Sequence, residues 1–74
     1  MQNLNILTER EKEVMELVCK GKTNFEICKI LNIAMATTKT HLHNVYAKYS
    51  LFANNRKDYS IMRLQAALIY LKIL

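Results

Sequence analysis

Thr23-Asn24-Phe25-Glu26-Ile27-Cys28-Lys29-Ile30-Leu31-Asn32-Ile33-Ala34-Met35-Ala36-Thr37-Thr38-Lys39-Thr40-His41-Leu42-His43-Asn44-Val45-Tyr46-Ala47-Lys48-Tyr49 is the stretch on which the fold turns. Thr23 and Glu26 have capping-box spacing, in which each side chain accepts a hydrogen bond from the other's backbone N–H at a helix start. A short helix over 24–31 is predicted, with Phe25, Ile27, Cys28, Ile30 and Leu31 as its apolar material. Asn32 tolerates the left-handed backbone that a tight exit needs, and Ile33 is expected to pack inward as the chain turns. A third helix then runs over about 35–49. Two helices joined by so few residues form a helix-turn-helix.

Upstream, Thr8 and Glu11 repeat the capping-box spacing, which predicts a first helix over about 9–20. Val14, Leu17 and Val18 make its apolar stripe, glutamates load its positive N-terminal end, and Gly21 supplies a left-handed stop. Downstream, residues 52–60 contain Asn54-Asn55 and the basic pair Arg56-Lys57 and are read as an irregular connection. A fourth helix is expected over about 61–74. The fold class is therefore all-α: four helices in one domain covering 1–74, with a longer connection before the last. No internal repeat or low-complexity stretch interrupts it.

The chain has 74 residues, no proline, one glycine and 51% apolar residues, a composition that favours helices and a compact core over disorder. A domain of this size is marginally stable alone, so help from a partner chain is expected. The net charge is +5 and is unevenly placed. Lys29, Lys39, Lys48, Arg56, Lys57, Arg63 and Lys72 face only Asp58 after residue 28, whereas five glutamates balance the first part. A positive field confined to one half is the footprint of a nucleic-acid binder.

Cys19 and Cys28 lie among apolar neighbours, where free cysteine behaves as a small hydrophobe, and a reducing cytoplasmic setting is expected. Their spacing with His41 and His43 fits no structural zinc site, so neither metal nor cofactor is expected. The amino terminus lacks the basic start and apolar run of a signal peptide. The apolar stretch 61–74 is too short to span a bilayer and contains Arg63, Gln65 and Lys72, so no membrane partner is expected. Enzymatic activity is not expected, since there is no supported Ser/His/Asp or Cys/His set and no glycine-rich phosphate loop.

On the third helix, at about 100° per residue, Thr38, Leu42, Val45 and Tyr49 share the core face. The opposite face carries Ala36, Lys39, Thr40, His43 and Ala47, flanked by Thr37, Asn44 and Lys48, with no acidic residue between Glu26 and Asp58. Small, hydrogen-bonding and cationic side chains of this kind enter the major groove without clash or repulsion. His41, between the two faces, is assigned to packing or capping.

The run Leu7-Thr8-Glu9-Arg10-Glu11-Lys12-Glu13-Val14, then Leu17-Val18-Cys19-Lys20-Gly21-Lys22-Thr23-Asn24-Phe25-Glu26-Ile27, resembles the opening two helices of LuxR/GerE-type regulators. Thr37-Thr38-Lys39-Thr40-His41-Leu42-His43-Asn44-Val45-Tyr46-Ala47-Lys48 is similar to their recognition helix. The resemblance implies a sequence-specific binder of double-stranded DNA that regulates transcription, with the third helix in the major groove and the fourth paired with a second copy. Lys39, Thr40 and His43 match the positions that face base edges. Thr23, Asn24, Thr37, Asn44 and Lys48 are the candidate phosphate contacts, being short donors near helix N-termini and a flanking cation. A start at Met1 just before the motif resembles the stand-alone members. An excised fragment, with a sensor or receiver domain upstream, would look the same.

The sequence departs from that pattern in four places. Ala34 stands where serine commonly caps the third helix, Thr38 where valine or isoleucine fills the core, and Tyr49-Ser50-Leu51 where Leu-Gly-Val is usual. Arg63-Leu64-Gln65-Ala66 resembles the opening of the fourth helix but comes about nine residues late. On that helix Ile61, Leu64, Leu68 and Leu71 form one apolar stripe and Met62, Ala66, Ile69 and Ile73 another. One stripe covers the domain's own core, and the second, assigned to Met62, Ala66, Ile69 and Ile73, implies a homodimer reading two half-sites. The alternatives are a 52–60 segment folded over that stripe within a monomer, and a degenerate helix-turn-helix acting as a protein-interaction module through its apolar last helix.

Overall fold

Four helices appear in the computed structural model, which describes residues 6–52 and 58–73: α1 (Glu9–Cys19), α2 (Asn24–Leu31), α3 (Met35–Lys48) and α4 (Tyr59–Ile73). No strand occurs among the described residues. Residues 53–57 of the expected connection, with Arg56 and Lys57, lie outside them, as do Leu74 and the side chain of Ile73.

Both capping boxes form. Glu11 N–H donates to Thr8 Oγ1 (3.1 Å) and Thr8 N–H to Glu11 Oε1 (2.9 Å). Glu26 N–H donates to Thr23 Oγ1 (3.1 Å) and Thr23 N–H to Glu26 Oε1 (2.8 Å). Those bonds hold the Glu26 carboxyl below the usual carboxylate range. At the exits Gly21 takes φ 82° and Asn32 φ 56°, left-handed in both cases. Gly21 N–H reaches Val18 O (2.9 Å) and Lys22 N–H reaches Leu17 O (3.0 Å), so α1 ends at Cys19 rather than Lys20 with its last carbonyls satisfied.

The ends of α3 are less well made. Ala34 stands at its N-cap and offers no side-chain acceptor. Ser50 adopts φ 60° at the exit, where Ser50 N–H bonds Ala47 O (3.0 Å) and Leu51 N–H bonds Tyr46 O (2.9 Å). Left-handed backbone costs an L-residue about 1–2 kcal/mol, and a missing cap costs about 1 kcal/mol. Ala34→Ser and Ser50→Gly are each expected to stabilise the domain by about 1 kcal/mol, a rise of about 4–8 °C in melting temperature at this size. Thermal denaturation followed by circular dichroism checks this, and an unchanged melting temperature in either variant contradicts the cap assignment at that end.

The start of α4 comes two residues earlier than expected. Asp58 Oδ1 accepts from Ser60 N–H (3.1 Å) and Ile61 N–H (3.3 Å), and Asp58 O accepts from Met62 N–H (3.1 Å), so Asp58 is an N-cap rather than a loop residue. The core draws on every helix: Leu7 before α1; Val14, Met15 and Val18 on α1; Ile27 on α2; Leu42, Val45 and Tyr46 on α3; Met62, Ala66 and Tyr70 on α4. Thr38 is fully buried among them, its hydroxyl donating back to Ala34 O (3.3 Å). Tyr49, expected on the core face, is half-buried, and Tyr46 takes the deeper place.

One expectation is reversed. Met62 and Ala66, assigned to a dimer interface, are completely buried in the domain's own core, and Ile69 is half-buried. The open stripe of α4 is the other one: Ile61, Leu64, Leu68 and Leu71. Apolarity does not distinguish the two stripes, so polar anchors decide the orientation. Arg63 Nη1 donates to Asn24 Oδ1 (2.6 Å) and Nη2 to Lys22 O (2.7 Å), while Tyr70 donates its hydroxyl to Glu16 Oε2 (2.8 Å). Arg63 and Tyr70 flank the Met62–Ala66 stripe, so satisfying both turns that stripe inward. Burial, and then the Glu16 carboxylate, push the Tyr70 phenol up to about 12.

Candidate nucleic-acid interface

The outer face of α3 is where the sequence places the chemistry. Leu42, Val45 and Tyr46 are pinned in the core, which turns Ala36, Lys39, Thr40, His43, Asn44 and Ala47 toward solvent. Thr37 is also exposed, at the first turn. Lys39, Thr40 and His43 therefore share one accessible surface. Thr40 Oγ1 donates to Ala36 O (3.0 Å), so its methyl and a hydroxyl lone pair remain for a partner. His43 stacks obliquely on Phe52, centroids 4.8 Å apart at 38°. Phe52 belongs to an aromatic cluster with Tyr46 and Tyr59 that bridges the end of α3 to the start of α4. This ring contact limits the tilt of the imidazole, which nothing in the sequence pattern indicated.

The expected phosphate contacts divide. Thr23 is exposed and Asn24 half-buried at the start of α2, and Thr37 and Asn44 are exposed on α3. Asn24 gives its carbonyl oxygen to Arg63 and keeps its amide N–H groups as donors. Lys48 is committed elsewhere: its Nζ lies 2.6 Å from Glu11 Oε1, and the Glu11 side chain is only 4% exposed. Burial acts to raise the Glu11 carboxyl, but the Lys48 ammonium and the Thr8 bonds outweigh it and hold the group below its ordinary value. Lys48 is thus first a counter-ion to a buried carboxylate. Neighbouring Tyr49 keeps its hydroxyl buried with no hydrogen-bond partner among the described residues. Sequence reading missed this pair because its members are 37 positions apart, although Glu11 within an otherwise exposed glutamate run is marked by its capping role.

The other ion pairs among the described residues are Arg10–Glu13 (3.0 Å) and Lys12–Glu9 (3.4 Å), both on α1. Four of the six carboxylates, Glu9, Glu11, Glu13 and Glu16, stand on α1, and α3 carries none. Among the described residues no group of three or more His, Cys, Asp or Glu side chains is placed to hold a metal. Both cysteines are free and half-buried, and among the described residues no helix is long and apolar enough to cross a membrane.

Residues 5–63 match the family described as "Bacterial regulatory proteins, luxR family". The chain belongs to this family. It is similar to the "Monoamine regulon transcriptional regulator" of Klebsiella aerogenes, 44% identical over 43 residues, which cover 58% of this chain and 19% of that protein. The "Uncharacterized response regulatory protein YgeK" of Escherichia coli is 43% identical over 44 residues, 60% of this chain and 30% of that one. The "Response regulator protein VraR" of Staphylococcus aureus is 44% identical over 43 residues, 58% of this chain and 21% of that one. The chain thus spans under a third of the length of these curated relatives. No solved structure matches it. As a LuxR-family domain it is all-helical with a helix-turn-helix, and its relatives are bacterial transcription and response regulators.

Proposed function

We propose that this LuxR-family chain binds double-stranded DNA sequence-specifically in the bacterial cytoplasm and regulates transcription, with α3 in the major groove. The observation that carries the reading is the outer face of α3, where Lys39, Thr40 and His43 are exposed together on a helix without a carboxylate. Lysine donates to guanine O6 and N7, and a threonine methyl meets the thymine methyl. Thr23, Asn24, Thr37 and Asn44 fix the protein on the backbone. The exposed α4 stripe of Ile61, Leu64, Leu68 and Leu71 pairs with a second copy, giving a two-fold dimer over two half-sites about one helical turn apart.

Selection of bound fragments from random duplex DNA tests the reading. An enriched motif is expected, with an affinity that falls log-linearly with salt as each protomer neutralises on the order of three to five phosphates. Lys39→Ala is expected to relax discrimination at one base step by about 1–3 kcal/mol, whereas Asn44→Ala weakens all duplexes about equally. Equal behaviour of the two variants contradicts the assignment of faces. Binding without any enriched sequence supports the second reading, a protein-interaction module acting through the exposed α4 stripe.

A further inference from the structure

A cleft of about 520 Å³ opens between the start of α2, one flank of α3 and the start of α4, with Asn24, Lys39, His43, Tyr59, Ser60 and Arg63 on its walls. Its charge is one-sided. Arg63 is gripped by two neutral oxygens, Asn24 Oδ1 and Lys22 O, and pairs with no carboxylate among the described residues; neither does Lys39. These neutral acceptors, with the Tyr46 hydroxyl beside them, orient the guanidinium but leave its full charge for another partner. Arg63 is only half-buried, so its charge remains open toward the cleft. The remaining polar wall groups among the described residues are neutral donors or can act as such: the Asn24 amide, the Ser60, Tyr59 and Tyr46 hydroxyls, the His43 ring.

We infer that this cleft is a seat for the oxyanion of a phosphate ester, with Arg63 as its fixed cation and Ser60 and Asn24 as further donors. Resting on the DNA-binding reading above, the inference assigns the ester to one backbone phosphate of the bound strand, because Lys39 and His43 belong to both the cleft rim and the groove-facing surface of α3. Helix α4 then contributes to DNA binding directly as well as through pairing. The same chemistry is offered by a free mononucleotide, whose phosphate meets Arg63 while its base lies on the exposed Tyr59 ring, so the two sources are separated experimentally.

The test walks a single neutral methylphosphonate along each strand of a selected duplex and measures affinity by fluorescence anisotropy. In the unmodified protein one position per half-site is expected to cost roughly tenfold, the order of one charge-assisted contact. In Arg63→Gln that cost disappears, and the log–log salt slope becomes shallower by about one unit. Arg63 also ties α4 to α2, so Ser60→Glu serves as the second variant: it adds a carboxylate to the cleft at an exposed helix N-terminus that tolerates acid. Ser60→Glu is expected to keep its melting temperature and to silence the same position, while Ser60→Gln does neither harm. Adenosine 5′-monophosphate and inorganic phosphate are titrated in parallel, observing the Arg63 Nε–H resonance. A saturable shift with the mononucleotide and no silenced backbone position assigns the seat to a free phosphate ester. If Arg63→Gln and Ser60→Glu weaken every position evenly, and neither anion moves the resonance, the seat does not exist. If no duplex binds at all, the DNA-binding reading fails and the nucleotide arm alone decides the seat.

Discussion

Lys48→Ala is expected to cost about 3 kcal/mol of folding stability, the order found when a buried ion pair loses one partner. Its ammonium is the only cation within ion-pairing distance of Glu11 among the described residues, at 2.6 Å, and the Glu11 side chain is 96% withdrawn from water. Removing it leaves a carboxylate that must be desolvated against nothing but the Thr8 N–H and the helix end. For a 74-residue domain, whose folding free energy is on the order of 4–11 kcal/mol, that loss is a large share. The sign of the pH dependence follows from the lowered Glu11 carboxyl. A group whose folded pKa lies below its unfolded value stabilises the fold above the unfolded value, near 4.5, and loses that contribution as pH falls through the folded one. The unmodified protein should therefore lose this stability on acidification. Lys48→Ala lacks most of it already, so the gap between the two closes as the carboxyl protonates. Glu11→Gln keeps the capping acceptor for Thr8 without the charge, and combined with Lys48→Ala it should recover part of the loss. Urea unfolding of the four proteins at pH 7 and pH 4 measures the cycle; additive losses with no pH dependence would show that the pair contributes no coupling. Weak DNA binding by a Lys48 variant therefore reports a lost phosphate contact only where the variant's fold is intact.

How much of this was legible in the sequence depended on the range of the interaction. The starts and exits of α1 and α2 are written in residues three or four apart, Thr8 with Glu11, Thr23 with Glu26, and Gly21 and Asn32 at the turns, so local chemistry announces them. The face of α3 is a matter of angle alone, and placing Thr38, Leu42 and Val45 inward turned Lys39, Thr40 and His43 outward. Asp58 was legible too, as an acidic residue just before an apolar helix, but the neighbouring Asn54-Asn55 and Arg56-Lys57 drew the reading toward a longer loop. What the sequence conceals is contact between distant positions: Glu11 with Lys48, Arg63 with Lys22 and Asn24, Tyr70 with Glu16. Those contacts decide the orientation of α4. Two apolar stripes of equal quality leave its rotation undetermined until its arginine and tyrosine find their acceptors.

Leu68→Asp and Ala66→Asp, two residues apart on α4, are expected to fail in opposite ways. Ala66 is fully buried where α4 meets the core, so Ala66→Asp forces a carboxylate and added volume into a packed interior and should leave the chain unfolded at 25 °C. Leu68 is 56% exposed, so Leu68→Asp removes little that the folded chain buries and should keep its helical circular dichroism. Its effect falls on pairing. Leu64 and Leu71 stand on the same stripe at 61% and 53% exposure, and Ile61 extends it by one turn. Each half-exposed aliphatic side chain withholds about 1 kcal/mol of burial from the free chain, and a row of four on one helix is more than a small monomer ordinarily leaves in water. A two-fold contact between two such stripes recovers that burial on both copies, and an aspartate at Leu68 then appears twice, near the axis, as like charges with no counter-ion. Leu68→Asp should therefore sediment as a folded monomer, bind an isolated half-site as the unmodified protein does, and lose its advantage on the paired operator. Sedimentation of the unmodified chain as a monomer at tens of micromolar, or unfolding of Leu68→Asp with a folded Ala66→Asp, would overturn the assignment of the stripes.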